Sequence, residues 1–294
     1  MDRSNLAWQS KLVLLLVVPW TAVSVVIEAR WWVAQQPAVA EWTLGLSAAL
    51  GLLAFSLRTA TPAAAVTGAT ISASLMFSMF EAPFRPWRTG LIPVLTVLVL
   101  TSLATRFGRR TKERLGTAET RRGRGAAQVA ANLGMAALIM DPFVQSALVD
   151  THWLVGRTFA SVFALGLAAL AEAAADTVSS EIGQVLGGTP LMITTFRRVE
   201  PGIDGGITLA GSASGMIAAG LVAFAGFFAL PLEPSILFVS WAGGVFGFLF
   251  DSLLGATMER AGWLNNDGVN FVSTASAVAF VLALLAIIPH PGVG

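Results

Sequence analysis

Cysteine and tyrosine are both missing from this 294-residue chain, and histidine occurs only twice. Without cysteine there are no disulfides, no thiolate metal ligands and no cysteine nucleophile. His152 and His290 stand too far apart in sequence to read as a His-rich metal motif. The lack of tyrosine leaves tryptophan alone to furnish an interfacial aromatic belt. Charge is scarce too: 12% of residues are Asp, Glu, Lys or Arg, where a soluble domain carries about 25%. The net charge of +1 removes any general argument for a nucleic-acid partner. No Walker glycine-rich loop is present, so nucleotide chemistry of the P-loop kind is excluded. What remains is apolar, with 55% hydrophobic residues and a mean hydropathy of +0.73. The fold class that follows is all-α, a polytopic transmembrane helix bundle.

A bilayer core takes roughly 20 apolar residues per helix. On that measure the sequence predicts about nine spans, near 11–29, 39–57, 62–80, 89–106, 126–149, 156–176, 205–230, 235–258 and 269–289. The first has no clear small-residue cleavage site and is expected to be a retained helix. Pro62 and Pro231 each mark either a boundary or a kink. The connection RFGRRTKERLGTAETRRGRG, residues 106–125, carries Arg106, Arg109, Arg110, Lys112, Arg114, Arg121, Arg122 and Arg124. The positive-inside rule makes this loop cytoplasmic. Alternating spans then put Arg3, Lys11, Arg58, Arg197, Arg198 and Arg260 inside as well. Only Arg30, Arg85, Arg88 and Arg157 fall outside. The expectation is N-terminus in and C-terminus out. One integral membrane domain is expected over 1–294, with N-terminal spans in 1–58 and a motif-bearing core in 59–289.

Ionisable groups inside apolar spans are expensive and seldom idle. AADTVSSEIG places Asp176, Ser179, Ser180 and Glu181 where the sixth span should end, with Gly183 as the helix exit. FDSLLGATMER places Asp251 and Ser252 in the eighth span. Carboxylates with hydroxyls suit Mg²⁺, which takes oxygen ligands and keeps waters that phosphate can displace; the plain alternatives are a polar helix end and an interhelical hydrogen bond. In RGAAQVAAN, Arg124, Gln128 and Asn132 recur at four-residue intervals, a polar stripe running into the bilayer. TTFRRVEPGIDGGITLAG offers Arg197, Arg198 and Asp204. Paired arginines serve either bidentate phosphate binding or topology alone. NNDGVN, just before the last span, offers Asn266, Asp267 and Asn270, and reads equally as turn chemistry. Gly211 with Gly215, and Gly243 with Gly247, have the spacing of close helix packing.

Taken in order, RGAAQVAAN, ADTVSSEIG, TTFRRVEPGIDGGITLAG, GGVFGFLFDSLLGATMER and NNDGVNF resemble an integral membrane family whose plant chloroplast members are phytyl-phosphate kinases of tocopherol synthesis. The resemblance covers about residues 60 to 285. It extends distantly to dolichol kinases and CTP:phosphatidate cytidylyltransferases, except that Met258-Glu259-Arg260 stands where those carry a lysine–arginine pair.

The resemblance implies an isoprenyl-monophosphate kinase using CTP or another nucleoside triphosphate and Mg²⁺. Asp176 and Asp251 would be catalytic, and Asp176, Glu181 and Asp251 would hold the metal. Arg124, Gln128, Asn132, Ser180, Arg197, Arg198, Asp204, Ser252, Asn266, Asp267 and Asn270 would bind substrate and nucleotide. Two alternatives stay open: a cytidylyltransferase making a CDP-lipid, and a transporter or flippase of phosphorylated lipids. The expected setting is a bacterial plasma (inner) membrane with the site on its cytoplasmic face. The expected partners are the lipid bilayer and a long-chain isoprenyl phosphate, with a homodimer left open.

Overall fold

The computed structural model describes residues 6–118, 123–150, 159–230 and 232–287. Arg3, Arg121, Arg122, His152, Trp153, Arg157, Pro231 and His290 lie outside the described residues. The chain forms α1 (Ala7–Gln35), α2 (Pro37–Ser56), α3 (Pro62–Ser78), α4 (Leu91–Arg106), α5 (Arg109–Leu115), α6 (Ala126–Ile139), α7 (Pro142–Asp150) and α8 (Phe159–Leu186). It continues with β1 (Leu191–Met192), β2 (Gly206–Ile207), α9 (Leu209–Ala229), α10 (Pro234–Leu254) and α11 (Asn266–Ile287). A π-helical turn, Gly255–Glu259, extends α10.

Each of the nine expected apolar stretches is helical, but their lengths differ. Six helices are long and apolar enough to cross a membrane alone, and two bent pairs raise the number to eight. The pairs are α4 with α5, bent by 62°, and α6 with α7, bent by 49°. Each bend has a local cause. Gly108 joins α4 to α5 in the left-handed region, at φ 59°. Pro142 opens α7, and the Asp141 carboxylate accepts the Phe143 N–H at 3.0 Å. The third stretch gives α3, only 17 residues long. Pro62 is its first residue and so marks a boundary, not a kink; Thr61 caps it by accepting the Ala64 N–H.

At the centre stands α8. Its alanine-rich run from Val162 to Ala175 is buried along its whole length, because small side chains let neighbours close in from every side. α9, α10 and α11 pack on it, as do α4 and α6, while α1 and α2 lie at the periphery. Both glycine pairs face this helix. A Cβ on Gly211 would come 2.7 Å from the Ser179 carbonyl, and one on Gly247 would come 2.5 Å from Glu172 Cγ. Close packing is therefore their role.

The loops at one end of the bundle are tied together. The Arg106 guanidinium donates to the Leu57 carbonyl at 2.9 Å. Thr59 and Thr61 exchange backbone hydrogen bonds with Arg124. β1 and β2 pair antiparallel, and Gly205 beside them sits where a Cβ would meet Ala256 at 2.4 Å.

The NNDGVN segment is not a turn: Asn265 caps α11, and the helix begins at Asn266. Asn265 accepts the Gly268 N–H at 2.8 Å through its side-chain oxygen. Its amide donates to the Leu6 carbonyl and to Ser10 Oγ, both at 2.9 Å, which pins α1 against α11. Asn265→Ala loses the cap and both ties, and about 2 kcal/mol of stability is the expected cost. Thermal unfolding in detergent reads it; an unchanged midpoint would show that Gln9, which also bridges to this loop, suffices.

Candidate functional site

Two helices bring carboxyl groups to one junction, and a third adds a hydroxyl. Glu172 and Asp176 lie one turn apart on α8, and Asp251 comes from α10. Asp176 and Asp251 approach closely enough to share a proton, and Asp251 feels the charge of Glu172 as well. From α11, Ser273 Oγ donates to Glu172 Oε1 at 2.7 Å. It also lies within hydrogen-bonding reach of Asp251. Asp251 Oδ2 is buried and accepts no hydrogen bond from any described donor. A buried oxygen without a donor is costly, so a site that keeps one has a reason for doing so.

Arg124 stands beside this junction. Its guanidinium donates to Thr177 Oγ1 at 3.3 Å, and its charge acts on Asp176. The expected helical stripe of Arg124, Gln128 and Asn132 does not exist as such, because α6 starts only at Ala126 after the extended Gly125. Arg124 sits instead in a bridge with Ala60. Asn132 is buried, and its amide donates to the Gln128 carbonyl at 2.8 Å.

α8 does not end near Gly183 but runs on to Leu186. Gly183 is a packing residue, where a Cβ would meet Thr208 Oγ1 at 3.0 Å. Glu181 is therefore mid-helix and buried, and its carboxylate takes a different partner. Lys112 Nζ, 1% exposed, donates to Glu181 Oε2 at 2.5 Å. It donates also to the carbonyls of Ala104 at 3.0 Å and Thr105 at 2.8 Å. The expected three-carboxylate set of Asp176, Glu181 and Asp251 is thus divided. Among the described residues no group of three or more His, Cys, Asp or Glu stands at metal-ligand spacing.

The remaining expected residues scatter. Ser180 is exposed, and Ser252 Oγ is spent on its own helix, donating to the Phe248 carbonyl at 3.3 Å. Arg197 and Arg198 are exposed on the loop between β1 and β2, where Arg198 bridges Leu191. Asp204 packs over the π-helical turn beside Gly255. Asn266 is exposed, Asp267 half-buried and Asn270 buried, all in the first turns of α11. Asn270 lies one turn before Ser273, whose hydroxyl also donates to its carbonyl at 3.0 Å.

Against the same region lies a cavity of about 660 Å³, walled by α2, α3, α4 and α6 and touching α8 at Ala173. Its depth is mainly apolar, with Leu50, Val94, Leu98, Val129 and Leu133 beside the buried polar side chains of Ser72, Thr101 and Asn132. Its mouth carries Arg58, Arg106, Arg109, Arg110 and Arg124. Arg124 belongs to both cavity and acidic junction. The sequence reading missed Lys112, Ser273 and Thr177. Lys112 looked like one more basic loop residue, and two hydroxyls in helices carry no local signal.

Residues 45–278 match the family described as Integral membrane protein DUF92. The uncharacterized membrane protein MJ0933 of Methanocaldococcus jannaschii is 36% identical over 63% of this chain and 71% of its own. Protein VTE6, chloroplastic, of Arabidopsis thaliana is 31% identical over 74% of this chain, which spans 66% of that protein. The uncharacterized membrane protein sll0875 of Synechocystis is 29% identical over 68% of this chain and 75% of its own. No solved structure matches.

Proposed function

Because this chain belongs to the DUF92 family of integral membrane proteins, we propose that it is a membrane phosphotransferase. Its reaction would move the γ-phosphoryl of a nucleoside triphosphate, CTP foremost, onto an isoprenyl monophosphate to give the diphosphate. The motif resemblance to phytyl-phosphate kinases supplies the reaction. The observation that carries it here is the half-buried Asp176–Asp251 pair, with one buried orphaned oxygen and a guanidinium alongside. Phosphoryl transfer asks for positioning and charge neutralisation, not for a covalent nucleophile. An acceptor phosphate, with a second pKa of ~6, is already largely ionised at neutral pH, so the transfer requires no histidine base.

The donor set suits Mg²⁺. That ion is commonly held by one or two carboxylates, with waters and substrate phosphates completing its shell. Asp176 and Asp251 would hold it, and the chemistry it supplies is neutralisation of phosphate oxygens. Arg124 orients the anion from the other side. Ser273, itself tied to Glu172, would position Asp251. On this reading Glu181 serves the architecture through Lys112.

The test uses protein in lipid with geranylgeranyl or phytyl monophosphate, Mg²⁺, and CTP labelled separately at its γ and α phosphates. Label reaching the lipid from the γ position alone is the expected result. Label from the α position, with pyrophosphate released, would make the protein a cytidylyltransferase. No lipid labelling from CTP, ATP, GTP or UTP would overturn the phosphotransferase reading.

A further inference from the structure

Arg58, Arg106, Arg109 and Arg110 serve the sequence reading only as topology markers. In the structure they converge with Arg124 on one opening. They come from three separate segments: the α2–α3 connection, the α4–α5 bend and the approach to α6. A topology determinant needs only to lie on the correct side of the membrane. Nothing in that role gathers five guanidinium groups around one cavity. The single carboxylate among the lining residues, Glu113, is held by Arg109 at 3.0 Å, so the mouth remains strongly positive.

The mouth is also built. Arg58 holds φ 56°, a left-handed conformation that non-glycine residues rarely adopt and that clusters at functional sites. Gly123, at φ 76°, lies against it. A Cβ there would meet the Arg58 carbonyl at 2.9 Å and the Ala60 nitrogen at 2.7 Å.

A positive mouth over an apolar depth matches a molecule with one anionic head and an apolar chain. Guanidinium forks fit phosphate oxygens in pairs, and the volume lies in the roughly 300–1,000 Å³ range of small-molecule sites. We propose that this cavity is the binding site for a lipid phosphate monoester. The head is held by Arg58, Arg106 and Arg110, and the chain lies against Leu98 and Val129. Arg124, shared with the acidic junction, places the head beside Asp176 and Asp251. The description of this lipid as phosphoryl acceptor rests on the phosphotransferase reading; the binding does not.

Protein in phosphatidylcholine nanodiscs, without nucleotide or metal, is titrated with geranylgeranyl monophosphate, with geranylgeraniol and inorganic phosphate as competitors. Saturable binding is expected, with each competitor at least tenfold weaker than the lipid phosphate. Arg58→Gly and Arg110→Gln should each raise Kd about tenfold. Arg58→Gly should melt no lower than wild type, because glycine holds φ 56° without strain, which separates lost binding from lost folding. Leu98→Trp, filling the depth, should weaken the lipid and leave inorganic phosphate unaffected. Unchanged Kd in all three variants would overturn the site, as would inorganic phosphate competing as well as the lipid. Wild-type transfer with no arginine dependence of binding would overturn this inference alone. Arginine-dependent binding with no transfer would overturn the enzyme reading alone.

Discussion

Asp251→Asn is expected to lower phosphoryl transfer by about 10²–10³-fold while raising the thermal midpoint. The two effects have one cause. Asp251 shares an apolar junction with Asp176 and Glu172, and its Oδ2 has no donor. Asparagine keeps the shape, removes one carboxylate from the cluster, and gives the orphaned position an N–H₂ that can donate to Asp176. Relieving the mutual repulsion should stabilise the fold by about 1 kcal/mol, or roughly 2–4 °C. Loss of function with gain of stability is the pattern of a site kept strained for its chemistry. Activity comes from the γ-label assay and stability from thermal unfolding of the same preparation. Should both fall together, Asp251 is a structural residue; should transfer persist, it plays no part in the reaction.

Lys112→Met should destabilise the protein by about 3–5 kcal/mol, since it leaves Glu181 buried without its counter-charge. Lys112 also closes the end of α4, donating to the carbonyl of Thr105 and to that of Ala104, which the Phe107 N–H reaches as well. Restoring an apolar match with Lys112→Met and Glu181→Leu together should recover most of the loss, because a buried ion pair is worth little against well-packed hydrophobic groups. The comparison of the single and double variants is read by thermal unfolding. It also separates the roles of Glu181. Transfer that survives in the double variant places Glu181 in the scaffold. Transfer lost despite a restored midpoint returns it to the metal site.

Much of the architecture is legible in the sequence because burial in a bilayer is a local demand. Runs of about 20 apolar residues show by themselves where helices lie, and every expected stretch is helical. What escaped that reading depends on partners far along the chain. The end of α8 is an example: Gly183 has the chemistry of a helix exit but is used to meet Thr208. The length of each span is another, since α6 and α7 bend apart within 126–149, a stretch that hydropathy reads as one continuous segment. The candidate site divides in the same way. Asp176 and Asp251 are conspicuous because charge in an apolar span is rare, and the structure brings them together. Arg197 and Arg198 are just as conspicuous, yet they lie exposed on a loop between two short strands.

The sequence by itself determined the all-α membrane class, the family, and the two acidic residues that face each other across α8 and α10. These are matters of composition and ordered motifs, which need no knowledge of what packs against what. Only the tertiary structure decided that Glu181 pairs with Lys112, that Ser273 joins the acids, and that arginines from three connections share one mouth. Each of these joins residues from separate segments across helix junctions. Pairing a buried charge is a property of three-dimensional proximity, and no periodicity along the chain encodes it.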